Sequence, residues 1–267
     1  MADFDLDQAA EYMGIKRTKL EKIIKNGREI KRTKIGRKYT VKKEDIDAWA
    51  EHKKTRIVKL DKADFLKALK FAIRINYAGH TRADFGTSRQ RSVTQAVENW
   101  TQGVLAELAL VKFIKEKFNV RLEPEFRVFE DTIVGQDIIN VIRGSISNPA
   151  RKGVSVKSGK KNGMILIVPV NEVERTERVS DFYVFVRVIF SSDFILRLLK
   201  THPDLSDVKD IIPDFDSIEA EIAGYCLRNE LEKRTVPEAS IKEMKYVKPS
   251  GLLKNNDADW REFVEQL

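Results

Sequence analysis

The spacing of apolar and polar residues in the first sixty positions predicts two short helices, a hairpin and a third helix. Four apolar residues of the first helix recur at helical spacing: Leu6, Ala9, Ala10 and Met13. A second apolar stripe follows Gly14 and stops at Gly27, a residue typical of helix ends. Apolar residues on both sides of Gly36 predict a hairpin, and Ile46 and Trp49 mark the closing helix.

The charges of this stretch favour an acidic partner. Between Lys16 and Lys43 there are thirteen Lys or Arg residues and two acids, Glu21 and Glu29. The predicted order of helix, helix, hairpin and helix is that of a small winged-helix unit that binds DNA. In such a unit the second helix would present to the major groove Lys16, Arg17, Thr18, Lys19 and Lys22. The hairpin would present to the phosphates or the minor groove Arg32, Lys34, Arg37 and Lys38. The alternative is a solvated basic surface without groove contact.

Two stretches in this region carry a family resemblance. "LDQAAEYMGIKRTKLEKIIKNG" and the closing "YTVKKEDIDAW" resemble the excisionase and MerR-like helix-turn-helix family. The resemblance covers about the first fifty-five residues and implies a winged helix-turn-helix domain that binds DNA.

The chain divides after this unit. A boundary near residues 53–60 predicts a winged helix-turn-helix domain at 1–56 and a second domain at 57–267. A polar stretch with Arg89 and Arg91 could contact DNA phosphates or could be plain surface. From Val93 to Phe118, a broad apolar stripe predicts a long helix.

Several β-rich segments follow the long helix. They are "EFRVFED", "QDIINVI", "GVSVKSG", "GMILIVPVNEV" and "DFYVFVRVIF". We expect the basic turn "SGKKNG" to join the third and fourth segments as a hairpin. The later segment "DFILRLLKTH" reads as a helix. This order predicts an α/β (α+β) fold with a mixed central sheet flanked by helices.

The composition narrows the function classes. A net charge of +8 favours nucleic acid or an anionic membrane as partner, and no apolar run approaches transmembrane length. Cys226 is the single cysteine, so an intrachain disulfide is excluded, and with three scattered histidines no zinc cluster is expected. We therefore expect a cytoplasmic protein that binds DNA and no membrane.

The second domain contains candidate residues for phosphodiester hydrolysis. Asp137 opens one predicted strand and Lys157 lies on the next. Glu107 lies among apolar residues of the long helix, where a carboxylate is costly to bury without a partner or a metal; the alternative is an edge residue paired with lysine. Carboxylates that hold Mg²⁺, beside a lysine that stabilises negative charge, suit metal-assisted hydrolysis.

These segments resemble the PD-(D/E)XK nucleases, the fold of most type II restriction endonucleases. The resemblance rests on "QGVLAELALVKFI", "GQDI" and "VSVKSG" in that order and extends over most of residues 93–267. It implies that Asp137 is the first acid, Lys157 the final lysine and Glu107 the supporting glutamate on the preceding helix. It also implies Mg²⁺ bound by Glu107 and Asp137, and a restriction-endonuclease-like fold.

Ser155 occupies the catalytic position where that pattern has a second acid, and Gln136 replaces its proline. Three accounts of Ser155 are open. A carboxylate from elsewhere replaces the missing acid, with Glu107 favoured and Glu172 or Glu174 as alternatives. Otherwise the chain is an inactivated variant, or the domain has lost catalysis and only binds DNA.

The resemblance predicts a sequence-specific restriction endonuclease of double-stranded DNA that acts as a homodimer. Two alternatives remain at this point. The first is a non-catalytic DNA-binding regulator or recombination accessory protein with a degenerate nuclease fold. The second is a structure-specific nuclease of repair or of DNA junctions.

Overall fold

The computed structural model describes residues 3–35, 38–77, 92–127, 136–174, 176, 179–189 and 217–267. Three helices and three strands form the N-terminal unit. In chain order they are β1 Asp3–Asp5, α1 Leu6–Tyr12, α2 Arg17–Lys22, β2 Thr33–Ile35, β3 Lys38–Lys42 and α3 Lys43–Lys54. The predicted order of helix, helix, hairpin and helix is confirmed. The sequence did not predict β1, which pairs antiparallel with β3 and gives the strand order β1-β3-β2.

Local signals explain where the first two helices begin and end. The Asp5 carboxylate caps α1 by accepting bonds from the backbone amides of Asp7 and Gln8, both at 2.9 Å. After α2, a π-helical turn runs to Gly27, and Arg28 follows in the left-handed conformation with φ of 54°. The unit encloses its own small core of Ala9, Ala10, Leu20, Ile23, Ile24, Ile30, Val41 and Ile46.

The second region begins with β4 and contains three sheets. Its strands are β4 Ile57–Leu60, β5 Arg121–Pro124, β6 Ile138–Arg143, β7 Ile146–Pro149, β8 Val154–Lys160, β9 Ile165–Pro169, β10 Phe182–Val188, β11 Ile218–Leu227, β12 Glu232–Val236 and β13 Ile241–Pro249. Its helices are α4 Lys62–Tyr77, α5 Val93–Phe118, α6 Val170–Glu174 and α7 Asp257–Gln266. The predicted long helix is confirmed as α5.

The central sheet has the strand order β4-β11-β10-β8. Its ladders are mixed, because β8 runs parallel to β10 whereas β10–β11 and β11–β4 are antiparallel. Every residue of β10 is buried. Phe182, Val184 and Val186 belong to the core that α4 and α5 share, whereas Tyr183 and Phe185 pack in a second core with residues of β9. The chain is therefore a mixed α/β fold with a doubly covered central sheet.

Two expectations about strands are wrong. The segments β8 and β9 do not form the expected hairpin: β8 pairs with β10, and β9 pairs antiparallel with β13 in the sheet β12-β13-β9. The segment "EFRVFED" is not a strand over its described residues 125–127, since β5 ends at Pro124. The remainder of that segment, and the predicted helix at 193–202, lie outside the described residues.

A buried cluster of charged side chains joins the N-terminal unit to the central sheet. Arg187 on β10 forms an ion pair with Glu29, which follows α2, and donates to Glu221 Oε1 on β11 at 2.9 Å. The three side chains are 2%, 7% and 4% exposed, respectively. Glu29 also accepts bonds from Ser250 Oγ at 2.6 Å and Trp49 Nε1 at 3.0 Å. Because unpaired buried charge is costly, these partners fix the two units against each other.

Further contacts tighten the same junction. Glu221 is paired with Lys53 at 3.0 Å and lies 3.7 Å from a terminal nitrogen of Arg56. Arg56 also donates to two backbone carbonyls of β11, each at 2.9 Å. Gly251 packs so closely on the backbone of Arg28 that a Cβ placed there would lie 2.1 Å from the carbonyl oxygen. The backbone at this junction therefore leaves no room for a side chain.

Candidate functional site

Asp137 links the start of β6 to β8, although the two strands belong to different sheets. Its backbone amide donates to the Val154 carbonyl at 3.2 Å. Its Oδ2 accepts from the backbone amide of Val156 at 2.6 Å. These two bonds hold the carboxylate beside the residues of β8 that alternate toward it.

Ser155 is fully buried between two carboxylates. Its Oγ lies 2.8 Å from Oε1 of Glu172 and 3.4 Å from Oδ2 of Asp137. Since a hydroxyl has one proton to donate, the shorter distance identifies Glu172 as its main acceptor. The side chain therefore positions a carboxylate that comes from another element.

Lys157 completes the group from the same face of β8 as Ser155, because residues two apart on a strand point the same way. Its Nζ lies 2.8 Å from Oε1 of Glu172. The two side chains are 24% and 13% exposed, so solvent reaches the lysine more readily than its partner. We name the four side chains Asp137, Ser155, Lys157 and Glu172 the candidate acidic site.

The position of Glu172 follows from α6, which starts directly after β9. Glu174 lies on the same short helix but is directed elsewhere: Lys233 Nζ is 2.6 Å and Tyr246 Oη 3.1 Å from its Oε1. The bond from Lys233 keeps the pKa of Glu174 below its usual range. Of the two glutamates considered near position 172, the structure thus places Glu172 at Ser155.

Glu107 is half-buried on α5, and α5 packs on β8 and β10. Among the described residues, no group of three or more His, Cys, Asp or Glu side chains is placed to hold a metal ion. Glu107 is therefore not assembled with Asp137 and Glu172 into a three-carboxylate centre. Its role as a ligand stays a prediction.

The candidate acidic site has a donor set that suits Mg²⁺. This ion prefers oxygen ligands and is commonly held by one or two carboxylates together with phosphate oxygens of a substrate. Asp137 and Glu172 supply two carboxylates on either side of one hydroxyl. Lys157 adds a cation 2.8 Å from Glu172, and a lysine can stabilise negative charge on a phosphate. The residues present are compatible with the metal.

The predicted DNA-contacting residues of the N-terminal unit lie mostly on its surface. Lys16, Arg17, Thr18 and Lys22 are exposed, and Lys19 is half-buried. Arg17 is held by two acids, with its guanidinium 2.6 Å from Asp7 Oδ2 and 3.2 Å from Glu21 Oε1. The hydrogen bonds that Arg17 donates to Asp7 and Glu21 raise the pKa of its guanidinium.

The hairpin contributes two exposed cations to the same unit. Lys34 and Arg32 are exposed, and the Arg32 guanidinium stacks 4.2 Å from the ring centroid of Tyr39. Lys38 lies on β3, but its side chain is outside the described residues. Arg37, Arg89 and Arg91 are also outside them.

Comparison with protein families gives one match. Residues 4–54 match the model of a family described as "Helix-turn-helix domain". The N-terminal unit is therefore a helix-turn-helix domain, and the match implies that it binds DNA. The searches of curated proteins and of solved structures returned no match. Within the described part of the chain, every helix is too short or too polar to span a bilayer.

Proposed function

We propose that the chain is a Mg²⁺-dependent endonuclease of double-stranded DNA. In this proposal the helix-turn-helix domain binds DNA and the second domain hydrolyses a phosphodiester bond. The observation that carries it is the convergence of Asp137, Glu172 and Lys157 around Ser155. Two carboxylates with one lysine, next to a DNA-binding domain, suit hydrolysis of an anionic backbone.

Each residue of the candidate acidic site has a role in this mechanism. Asp137 and Glu172 would hold the metal, which when bound polarises the scissile phosphate and lowers the pKa of a coordinated water. Lys157 stabilises the negative charge that develops on the phosphate oxygens and helps to orient the water. Water attacks phosphorus in line, and the bond to the 3′ oxygen breaks, leaving a 5′ phosphate and a 3′ hydroxyl.

Ser155 has a positioning role in this proposal. Its buried hydroxyl donates to Glu172, so the glutamate of α6 supplies the carboxylate that β8 lacks. This arrangement supports the account in which the second acid comes from another element. In this proposal the missing second acid is replaced by Glu172, whereas the sequence favoured Glu107.

The finer form of the proposal comes from the sequence resemblance. We infer a type II restriction endonuclease with a PD-(D/E)XK domain, preceded by an excisionase or MerR-like winged helix. A palindromic target and a cut in each strand would match a homodimer with two-fold symmetry. In this form the enzyme cuts double-stranded DNA in the cytoplasm.

One observation favours a second candidate function. The described residues offer two carboxylates and no three-carboxylate cluster, and fewer charges mean weaker metal binding. A non-catalytic DNA-binding regulator or recombination accessory protein would share the helix-turn-helix domain. A structure-specific junction nuclease would share the chemistry without sequence preference.

A plasmid assay separates these functions. Supercoiled DNA is incubated with the chain and Mg²⁺, with EDTA as a blank, beside Asp137→Asn, Lys157→Met and the control Asp257→Asn on α7. We expect nicked and linear products that need Mg²⁺, and a loss of about 10²–10³-fold in both site variants but not in the control. Cleavage unchanged in both site variants would refute the assignment of the site.

The same preparations distinguish the alternatives. DNA binding without cleavage under any divalent ion favours the regulator. Cleavage confined to branched substrates favours the junction nuclease, whereas defined ends on linear duplex favour the restriction enzyme.

A further inference from the structure

We propose that the junction between the helix-turn-helix domain and the central sheet is itself a binding surface for the DNA backbone. It consists of a basic cleft on the first unit and the basic turn between β8 and β9 on the second. The proposal rests on DNA binding by the helix-turn-helix domain, and it does not require that the chain cleaves DNA.

The basic cleft lies between the end of the α2 segment and the base of the hairpin. It has a volume of about 730 Å³, and its lining includes one acid, Asp45. Its cations are Lys25, Arg28, Lys31, Arg32 and Lys42. Within the described residues only Lys25 of these five forms an ion pair, at 3.4 Å from Glu21. A concave surface with a large excess of positive charge suits phosphate groups.

The basic turn carries Lys160 and Lys161, both exposed. Neither lysine is in an ion pair with another described residue. The turn is closed by the Gly163 amide, which donates to the Lys160 carbonyl at 2.8 Å. Two cations are therefore presented on a backbone of defined shape.

The turn is fixed against the helix-turn-helix domain. Arg187 donates from Nε to the Gly163 carbonyl at 2.6 Å and is ion-paired with Glu29 of the first unit. Met164 packs with the core of that unit, and its Sδ lies 3.2 Å from where a Cβ on Gly27 would be. Arg28, which lines the basic cleft, follows Gly27 directly. The cleft and the turn are thus neighbours at one junction.

The turn also leads to the candidate acidic site. Lys157 and Lys160 are three residues apart on β8, which corresponds to about 10 Å at the usual rise of a strand. One strand of duplex DNA has roughly three phosphates over that length. Side chains alternate along a strand, so Lys160 points to the opposite face of β8 from Lys157, and a backbone held on Lys160 and Lys161 reaches the second domain without being placed at Lys157. The basic turn therefore extends the positive surface of the recognition domain onto the second domain.

The test measures binding of the full chain to a duplex of about 30 base pairs, a length that covers both surfaces. Fluorescence anisotropy is recorded in EDTA over a range of salt concentrations, so cleavage does not contribute. The variants are Lys160→Gln/Lys161→Gln on the turn and Arg28→Gln/Lys31→Gln in the cleft.

The control is Lys115→Gln/Lys242→Gln, which removes two exposed lysines. Lys242 is the second residue of β13, about 25 Å along the strand from Ser250 at the junction. Thermal melts confirm that all variants fold.

We expect each junction variant to bind about tenfold or more weakly at 150 mM salt, with a salt slope lower by about two. The control should match the unaltered chain. Affinity and salt slope equal to the control in both junction variants would overturn the proposal. Because binding is measured in EDTA, the result does not depend on whether the chain is an active nuclease. If the junction variants bind DNA normally and also cleave it, the binding surface is rejected while the proposed nuclease function stands.

Discussion

The buried charge cluster at the junction gives a direct test of how the two units are held together. The change is Arg187→Met, which keeps a long apolar side chain and removes the guanidinium. Glu29 and Glu221 each lose a cation in a site where both are less than a tenth exposed. Arg187 also gives up its bond to the Gly163 carbonyl.

The expected loss in the free energy of unfolding depends on the partners that Glu29 and Glu221 keep. Removing one partner of a buried ion pair costs about 3–5 kcal/mol, because a buried charge is left uncompensated. Here Glu29 keeps Ser250 and Trp49, while Glu221 keeps Lys53. We therefore expect the lower end, about 3 kcal/mol, which for a chain of this size corresponds to about 6–12 °C in Tm.

The pH dependence of stability gives a second test of the Arg187→Met substitution. Burial alone raises the pKa of Glu29, but Arg187 and the bonds from Ser250 and Trp49 bring it below the usual value. Its contribution to stability is thus present above the unfolded pKa of about 4.3 and is lost as pH falls through the lower folded pKa. In Arg187→Met the effect of burial is less opposed, so the folded pKa of Glu29 rises toward or above its unfolded value, and the part of the acid destabilisation that comes from Glu29 should become smaller.

The assay is urea and thermal unfolding, followed by circular dichroism between pH 3 and pH 8. Lys54→Met, which removes a cation from an exposed pair with Glu51, is the control and should unfold like the unaltered chain. A double variant with Glu29→Gln added to Arg187→Met should recover part of the loss, because Glu221 still has Lys53 and Arg56, so no buried carboxylate is left without a cation. A loss under about 1 kcal/mol for Arg187→Met alone would refute the reasoning.

Three single positions test the candidate acidic site, the packing at the junction and the burial of the cysteine. Ser155→Asp should lower both plasmid cleavage and Tm, because it adds a third carboxylate at a fully buried site; a large gain in cleavage would instead support the account of an inactivated variant. Gly251→Ala should destabilise the chain by about 1–3 kcal/mol, since its Cβ would meet the Arg28 carbonyl, whereas Gly103→Ala on α5 meets nothing within 4 Å and should not; equal melting curves for the two would contradict this packing. Burial raises the pKa of Cys226 to about 12, so iodoacetamide at pH 8 should label it only in denaturant, and rapid labelling of the folded chain would contradict its placement.

The helix-turn-helix domain was predictable because its signals are local. Apolar spacing, Gly27 and the turn near Gly36 each act within a few residues. The long helix α5 was predictable for the same reason, since its stripe repeats over 26 residues. Elements defined by their own periodicity could therefore be located from the sequence.

The pairing of strands was harder to predict, because it depends on distant partners. The sequence identified β8 and β9 as strands, but β9 pairs with β13, so that Ile167 lies opposite Val247. Arg187 is a similar case, because nothing in the neighbouring residues of "FVRVIF" indicates the partner of its guanidinium. It is buried because Glu29 reaches it from a position 158 residues away.

The candidate acidic site was predictable in part. Asp137, Ser155 and Lys157 were expected together, and the structure brings them together. Glu172 was only one of three possible carboxylates, because its position depends on how α6 follows β9. The glutamate favoured by sequence, Glu107, lies on a helix whose placement the strand pattern does not determine.

The central claim is that Glu172 completes a Mg²⁺-dependent nuclease site beside Ser155. Its most direct test is the initial rate of Mg²⁺-dependent plasmid cleavage by Glu172→Gln, with Glu174→Gln as the matched control on the same helix. We expect Glu172→Gln to cleave at least about 10²-fold more slowly, with unchanged DNA binding. Glu174→Gln should cleave at the normal rate. Cleavage by Glu172→Gln at the rate of the unaltered chain would contradict it.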